Sequence, residues 1–304
     1  MKKLLHITFE TKAMDDALAK EFNYLRIVFP QIPKENIDTY ICNVFKDFNP
    51  DIVLKEDVGS LDLKESTLKT LSKAFMVQWT QDIVIPYRKP ILEYAKYGLS
   101  LFSNYINIEK LKDAGYKADF LMSSEDYDLY APIKGVAKRG IVFIANNYDT
   151  GVNMPIRKSR EDMVDFLREE YPNDFSLYGN NWFHRGSKGY VGFKNEAKVY
   201  SEALMAINIS QFNTQRYTSN RMYKILGCKT FCLSHAYPGC EVDFPDVETF
   251  NSFEELKYTI DYFLKPENRA ELDNIADKTH KHALKYHSWD ARVQQLKSLI
   301  DKWS

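Results

Sequence analysis

Met205-Ala206-Ile207-Asn208-Ile209-Ser210, a polar stretch to Ser219, Asn220-Arg221-Met222-Tyr223-Lys224-Ile225-Leu226 and Thr230-Phe231-Cys232-Leu233 make up the run that decides the fold. A short apolar run closed by polar residues reads as a buried strand, the segment after Ser219 as a helix, and the next apolar run as a second strand. Strand, helix and strand within about 30 residues form the repeating unit of a parallel sheet. The same rhythm extends both ways. Upstream, Gly140-Ile141-Val142-Phe143-Ile144-Ala145 and Phe175-Ser176-Leu177-Tyr178 read as strands, with a helix between them capped by Ser159 and acidic at Glu161 and Asp162. Downstream, Ser252-Phe253-Glu254-Glu255 is a capping box, and helical stretches follow at 267–286 and 289–303.

The first half repeats the alternation. Strands are expected at 4–9, 51–54, 74–79, 99–102 and 118–121, with a helix near 107–115. Leu18, Phe22, Leu25, Ile27 and Phe29 place a helix over 14–29. Residues 123–139 are polar, with a Pro and a Gly, and mark a domain boundary. The expected organisation is therefore α/β, with two Rossmann-like, doubly wound domains at 1–135 and 136–287, and a last helix at about 288–304 packing back on the first. At 304 residues the chain agrees with a prior of roughly 150 residues per domain.

Composition narrows the function. Forty-one Lys and Arg against 42 Asp and Glu give a net charge of -1, so there is no bulk field to gather nucleic acid. Locally, Lys134, Lys138, Arg139, Arg157, Lys158 and Arg160 face Asp149 alone, which makes 134–160 a candidate anion-facing segment. The four cysteines form no CxxC pair, no apolar run approaches the roughly 18 residues of a membrane span, and the start is no signal peptide; the expectation is a cytoplasmic protein. Neither a Gly-x-Gly-x-x-Gly nor a Gly-x-x-x-x-Gly-Lys-Ser/Thr string occurs, which removes the usual warrant for dinucleotide dehydrogenases and P-loop phosphotransferases.

In doubly wound sheets, ligands sit beyond the carboxyl ends of the strands. After the strand at 205–209, Tyr217, Thr218, Ser219 and Asn220 lead to a helix mouth at which Arg221 adds a guanidinium fork. Unpaired N–H groups and that fork suit a diphosphate; the plain structural alternative is a capped helix with a solvated Arg. Asp82 ends a strand of the first domain, where an acid serves either as base or as exposed loop residue. Glu241, beyond the Pro238-Gly239 turn, is placed to bond sugar hydroxyls. Asp126-Tyr127-Asp128 matches the Asp-x-Asp metal pattern but reads better as a solvated loop, and His280, His282 and His287 read as packing residues. No metal site is expected.

These motifs occur in an order that resembles the group-1 glycosyltransferases of the spore-maturation-protein type, with the GT-B architecture of two Rossmann-like domains facing across a cleft. The resemblance rests on Val142-Phe143-Ile144, Arg160, Leu177-Tyr178-Gly179-Asn180-Asn181-Trp182, Val199-Tyr200-Ser201, Ser219-Asn220-Arg221-Met222-Tyr223, Pro238-Gly239 with Glu241, Phe253-Glu254-Glu255-Leu256 and His287-Ser288-Trp289-Asp290-Ala291-Arg292. It implies transfer of a hexosyl or pentosyl group from a nucleotide diphosphate donor, a UDP-sugar first, to an acceptor hydroxyl, with retention and without a catalytic metal or other cofactor. Carried over residue by residue, Arg160, Ser219, Asn220 and Arg221 would face the diphosphate, Gly179, Asn180, Gly192 and Phe193 the base, and Glu241 the sugar.

The chain departs from that pattern at Lys224, where the family commonly has a ribose-binding Glu, at Lys229, where it commonly has Gly, and in the glycine-free loop Thr8-Phe9-Glu10-Thr11. Lys224 would then reach a phosphate, serve an unusual donor, or mark lost activity. Two other functions therefore stand beside the first: transfer to a hydroxylated base of DNA, as in viral genome modification, and non-catalytic nucleotide-sugar binding. The acceptor is left open among small molecule, glycan, protein and modified DNA.

Overall fold

The computed structural model describes residues 1–9, 12–56, 61–84, 89–148 and 155–304. Glu10, Thr11 and Asp149, which the sequence reading singled out, lie outside them. The chain forms two compact units, Met1–Ser123 with Trp289–Ser304, and Ser124–Ser288.

In the first unit the order is β1 (Lys3–Thr8), α1 (Lys12–Glu21), β2 (Asn23–Val28), α2 (Ile37–Phe48), β3 (Ile52–Glu56), α3 (Glu65–Leu71), β4 (Phe75–Thr80), α4 (Lys89–Ala95), β5 (Leu99–Phe102), α5 (Tyr105–Asp113) and β6 (Ala118–Phe120). The six strands lie parallel in the order β2-β1-β3-β4-β5-β6. Central β3 and β5 are buried along their whole length, as strands covered on both faces must be.

The expected helix over 14–29 is only half a helix. Leu25, Ile27 and Phe29 alternate at period two, and 23–28 pairs with β1 as the sheet's edge strand, so Glu21 ends α1 and the helical count had run across a turn.

The second unit runs β7 (Ile141–Ile144), α6 (Arg157–Glu170), β8 (Phe175–Tyr178), α7 (Phe193–Glu202), β9 (Met205–Asn208), α8 (Asn220–Gly227), β10 (Phe231–His235), α9 (Cys240–Asp243), β11 (Glu248–Phe250), α10 (Phe253–Leu264) and α11 (Arg269–Tyr286). Its parallel order is β11-β10-β9-β7-β8. Phe143, Met163, Leu167, Ile207, Leu233, Ile260 and Leu272 share its core. Ser252 caps α10 by accepting from Glu255 N at 3.1 Å. Ser159, by contrast, sits inside α6, whose N-cap position is Ile156, because the helix already begins at Arg157.

The units divide at Ser123/Ser124, at the upstream end of the polar 123–139 stretch that the sequence marked and ahead of the expected break at 135/136. Tertiary bonds explain this: Tyr130 OH donates to Glu196 at 2.6 Å, Ile133 N to Ser201 Oγ at 3.1 Å and Arg139 N to Glu202 O at 2.9 Å, which fixes 124–139 to α7. Beyond Ser288 the chain rejoins the first unit through α12 (Trp289–Trp303), whose Trp289, Val293, Leu296 and Ile300 pack with Trp79 and Leu18. The Trp79 and Trp289 rings meet edge to face at 5.8 Å.

Candidate active site

The strand order of the second unit reverses between β7 and β9, and this switch point is where doubly wound sheets bind ligands. Arg221, in the first turn of α8, spans it. Its Nε donates to Ile144 O at the end of β7 (2.6 Å), and its Nη1 to Ile209 O just past β9 (3.0 Å) and to Ser219 Oγ (3.2 Å). Its Nη2 donates to no described residue. The guanidinium lies 4.9 Å from the centroid of the Phe143 ring.

Arg160 comes to the same ring from α6, 5.8 Å from its centroid, and is only 3% exposed. Its Nη2 donates to Asn146 O at 3.1 Å, whereas its Nε is buried with no partner among the described residues. Neither guanidinium takes part in an ion pair among the described residues. Burial holds both below their ordinary values, and for Arg160 the charge of Arg221 adds to the effect. Two desolvated cations near one ring repel each other and leave a buried donor unmet, and an anion bound across the switch point would relieve both.

The surrounding loops are held by short polar contacts. Asn208, a polar residue ending an apolar strand, donates to Thr218 Oγ1 (3.3 Å) and Ser234 Oγ (3.0 Å), and its Oδ1 accepts from Ser219 Oγ (3.1 Å). Ser219 N donates to Ser210 Oγ at 2.9 Å. With the Ser219 hydroxyl used in this way, no side chain caps α8, and its N-terminus keeps its affinity for negative charge. Tyr217 is buried beside Phe212, and Asn220 is exposed at the helix mouth.

Gly179 and Asn180 close the β7–β8 side. Gly179 has φ +121°, and a Cβ there would lie 1.9 Å from Ala145 O, so only glycine lets the two loops meet. Asn180 N donates to Asn146 Oδ1 (2.8 Å), and Asn147 N returns a bond to Asn180 O (2.9 Å). Gly192 is the N-cap position of α7, and Phe193 follows it with its ring 60% exposed. Lys224, one turn beyond Arg221, is ion-paired with Glu196 at 2.8 Å, so it faces a carboxylate of its own chain.

Other candidates lie apart from this cluster. Glu241 is exposed on the four-residue α9, and no described contact joins it to the arginine pair. Asp82 belongs to the first unit, exposed in the bend after β4, where Asn104 Nδ2 donates to its carbonyl at 3.5 Å. The basic segment 134–160 is not one surface. Arg157 and Lys158 pair with Glu161 and Asp162 on their own helix, Lys138 bonds Lys229 O at 2.7 Å, and only Arg160 enters the site. Asp126 Oδ1 accepts from Asp128 N and Leu129 N, a turn. His280 bonds Leu226 O, and His282 and His287 both bond Asp243 O. Among the described residues, no group of three or more His, Cys, Asp or Glu is placed to hold a metal ion, and no helix is long and apolar enough to cross a membrane.

Sequence reasoning missed a second polar cluster, at the first unit's own switch point between β1 and β3. His6, fully buried, has Nε2 3.5 Å from Glu56 Oε2 and Nδ1 3.0 Å from Tyr24 OH and 3.6 Å from Asp15. Thr8 Oγ1 donates to Glu56, Gln81 Nε2 does so at 3.3 Å, and Ser123 Oγ bonds Gln81. Burial opposes a charge on His6, yet the bonds and charges of Asp15 and Glu56 outweigh it and raise the imidazole above its ordinary value. The signal was a histidine interrupting Leu4-Leu5-His6-Ile7. Glu196, also missed, had only its place in the first turn of α7 to mark it.

Residues 157–298 match the model of a family described as glycosyl transferase-like. No functionally curated protein matches. Among solved structures the chain is similar to sucrose-phosphate synthase of Thermosynechococcus elongatus (TM-score 0.62, 10% identity, 99% of each chain covered) and to Anabaena HepE in complex with UDP-glucose (0.64, 11%, 99% of this chain and 100% of that one). A trehalose-6-phosphate synthase studied for glycosyl transfer with retention is also similar (0.66, 8%, 99% of each chain). The fold is therefore GT-B, and the region that supplies the arginine pair is similar to the glycosyl transferase-like family.

Proposed function

We propose that the chain is a glycosyltransferase that moves a sugar from a nucleoside diphosphate donor to an acceptor hydroxyl. The observation that carries this is the pair Arg160 and Arg221, two cations without an ion-pair partner among the described residues, on one phenyl ring at a switch point. The anion they suit is the donor's diphosphate, and the UDP-glucose bound by Anabaena HepE, of the same fold, supports UDP as its nucleotide. The acceptor oxygen bonds to the anomeric carbon as the bond from that carbon to the β-phosphate oxygen breaks. The electron pair goes to the phosphate, and the hydroxyl proton passes to a base or to the departing oxygen.

Negative charge grows on the leaving group in that step. Fixed guanidinium groups and an uncapped helix mouth stabilise it without reorganising, as a metal ion would in other sites. The mouth of α8 at Ser219 and Asn220 turns its positive end toward the diphosphate, while Gly179, Asn180, Gly192 and Phe193 shape the nucleoside side. In this reading Asp82 is the candidate acceptor-side base and Glu241 the candidate partner of the sugar hydroxyls. Retention is part of this reading, supported by the likeness to a trehalose-6-phosphate synthase studied for transfer with retention.

The test is incubation with UDP-glucose, UDP-galactose, UDP-N-acetylglucosamine and the matching GDP- and ADP-sugars, scoring released nucleotide with and without acceptor sugars. Release by the wild type, lost in Arg221→Ala, is the expected result. A folded protein that neither binds nor cleaves any of them overturns the proposal. The anomeric configuration of a product, read by NMR, decides retention.

A further inference from the structure

The loop that leads into α8 and the loop that carries Glu241 are fastened to each other. Arg216 N donates to Pro238 O at 2.7 Å, and Asn213 Nδ2 to Ala236 O at 3.2 Å. The Arg216 guanidinium clasps Asp243 of α9: its Nε donates to Oδ1 and Oδ2 at 3.1 and 3.0 Å, and its Nη2 to Oδ1 at 2.5 Å. The Asp243 side chain is 4% exposed and that of Arg216 28%, so the pair is largely shielded from water.

Two left-handed backbones meet at this junction. Arg216 has φ +52°, which a residue with a Cβ adopts at a cost, and Gly239 has φ +87°. A Cβ on Gly239 would stand 2.5 Å from Arg216 Cγ, so the arginine stem lies where only glycine leaves room. With four residues, α9 is too short to hold its place by its own main-chain bonds. Its last residue is instead held from two sides. Arg216 takes the Asp243 carboxylate, while His282 and His287 donate from Nε2 to the Asp243 carbonyl at 2.9 and 2.8 Å. A shielded ion pair adds little stability over an apolar pair of similar volume, and a strained backbone works against it further. What the pair supplies is a fixed geometry.

We infer that Arg216 and Asp243 are a positioning pair for the sugar of the donor, holding Glu241 at a set distance from the mouth of α8. This rests on the donor reading above and deepens it. Arg216 lies three residues before Ser219, and Asp243 two residues after Glu241, so the ion pair joins the diphosphate side to the sugar side. In a nucleoside diphosphate sugar the anomeric carbon is bonded to an oxygen of the β-phosphate. A site that grips both groups therefore needs its two loops at one separation. The pair acts through Glu241 and not by touching the ligand. A free nucleoside diphosphate has no sugar to present to α9, and its binding is independent of the pair.

The experiment is calorimetric titration of the full chain with UDP-glucose and the other UDP-, GDP- and ADP-sugars of the panel above, each beside its free diphosphate. Arg216→Ala should weaken the sugar nucleotide that wild type binds about 10- to 50-fold while leaving its free diphosphate within threefold. A merely structural role would move both ligands or neither. Arg216→Lys, which keeps the charge without the fork, should recover part of the loss. Asp243→Asn should show the same selective loss in milder form, and serves in place of Arg216→Ala should that variant fold poorly. Glu241→Gln should be selective in the same sense, and adding Arg216→Ala to it should cost no more than about threefold further, because both act on one contact. A circular dichroism melt checks that each variant is folded. If the Arg216 and Asp243 variants weaken sugar nucleotide and free diphosphate alike, or weaken neither, or if the Arg216 and Glu241 losses multiply in full, the inference is overturned and the donor reading stands. If wild type binds none of these ligands, both fall.

Discussion

Replacing Arg221 by Ala removes a side chain that bonds the carbonyls at the ends of both strands of the switch point. Its effect on ligand binding can be worked from the bonds it already makes. Nε and Nη1 are committed to Ile144 O and Ile209 O, so the group free to meet a phosphoryl oxygen is Nη2. One charge-assisted bond contributes about 1.5–3 kcal/mol. Loss of the cation adds to this, but relief of its repulsion on Arg160 offsets part of the loss. A net 2–3 kcal/mol raises the dissociation constant for UDP about 30- to 150-fold. Arg221→Lys keeps the charge without the fork, cannot reach both carbonyls, and should lose about tenfold. Two carbonyls also lose their donor, which costs stability by about 1–3 kcal/mol. Calorimetric titration at fixed salt, with a circular dichroism melt to show that the variants fold, is the assay. A folded Arg221→Ala protein that binds UDP within threefold of wild type would refute the reasoning, because no diphosphate could then rest on this side chain.

Three further outcomes are expected. Gly179→Ala forces a Cβ against Ala145 O at φ +121°, and urea unfolding should show a loss of about 2–4 kcal/mol together with weaker UDP binding. Glu125 has a folded value raised from 4.5 to about 7, so ionising it opposes folding: the penalty is absent below pH 4.5, grows to roughly 3 kcal/mol by pH 7 and stays constant above. Glu125→Gln should therefore raise the melting temperature at pH 8 and leave it unchanged at pH 4; an equal shift at both would remove this account. For His6 the folded value is raised, so its stabilising contribution is complete below pH 6.5 and is lost as pH climbs through that raised value; Asp15 and Glu56, lowered in the fold, contribute above their unfolded values near 4 and lose that contribution on acidification. The first unit should thus lose stability as pH rises above 6.5 in wild type, and His6→Asn should flatten that decline in a hydrogen-exchange measurement confined to β1 and β3.

Much of the architecture could be read locally. Ile141–Ile144 and Met205–Asn208 are runs of four residues, too short and too apolar for anything but central strands, and Ser252 with Glu255 announced a helix start that the structure contains. Errors fell where two periodicities adjoin or where local chemistry is ambiguous. Leu25, Ile27 and Phe29 continued a helical count across the end of α1, although their alternation belonged to an edge strand. Ser159 had the composition of a cap but sat in the third position of a helix already begun. Lys229 replaces an expected glycine, yet it adopts φ +54° and is anchored to Asp277, so the departure changes a helix end and leaves the site intact.

Function was legible to a lesser degree. Arg221 could be singled out because it follows a strand and opens a helix, both local facts. That Arg160 shares a ring with it, that Lys224 is claimed by Glu196, and that Asp82 and Glu241 stay exposed could not be read from spacing.

What the sequence determined by itself is the succession of strands and helices, because hydrophobic period and capping act over a few residues. What only the tertiary structure decided is who meets whom. Arg221 reaches Ile144 across 77 residues, and Lys224 reaches Glu196 across 28, because the sheet sets β7 beside β9 rather than in chain order. Strand order is settled by the packing of whole faces and the closure of long connections, a global free-energy balance that no local pattern encodes. The charge of each side chain was written in the sequence, and the neighbour that gives it a use was fixed by the fold.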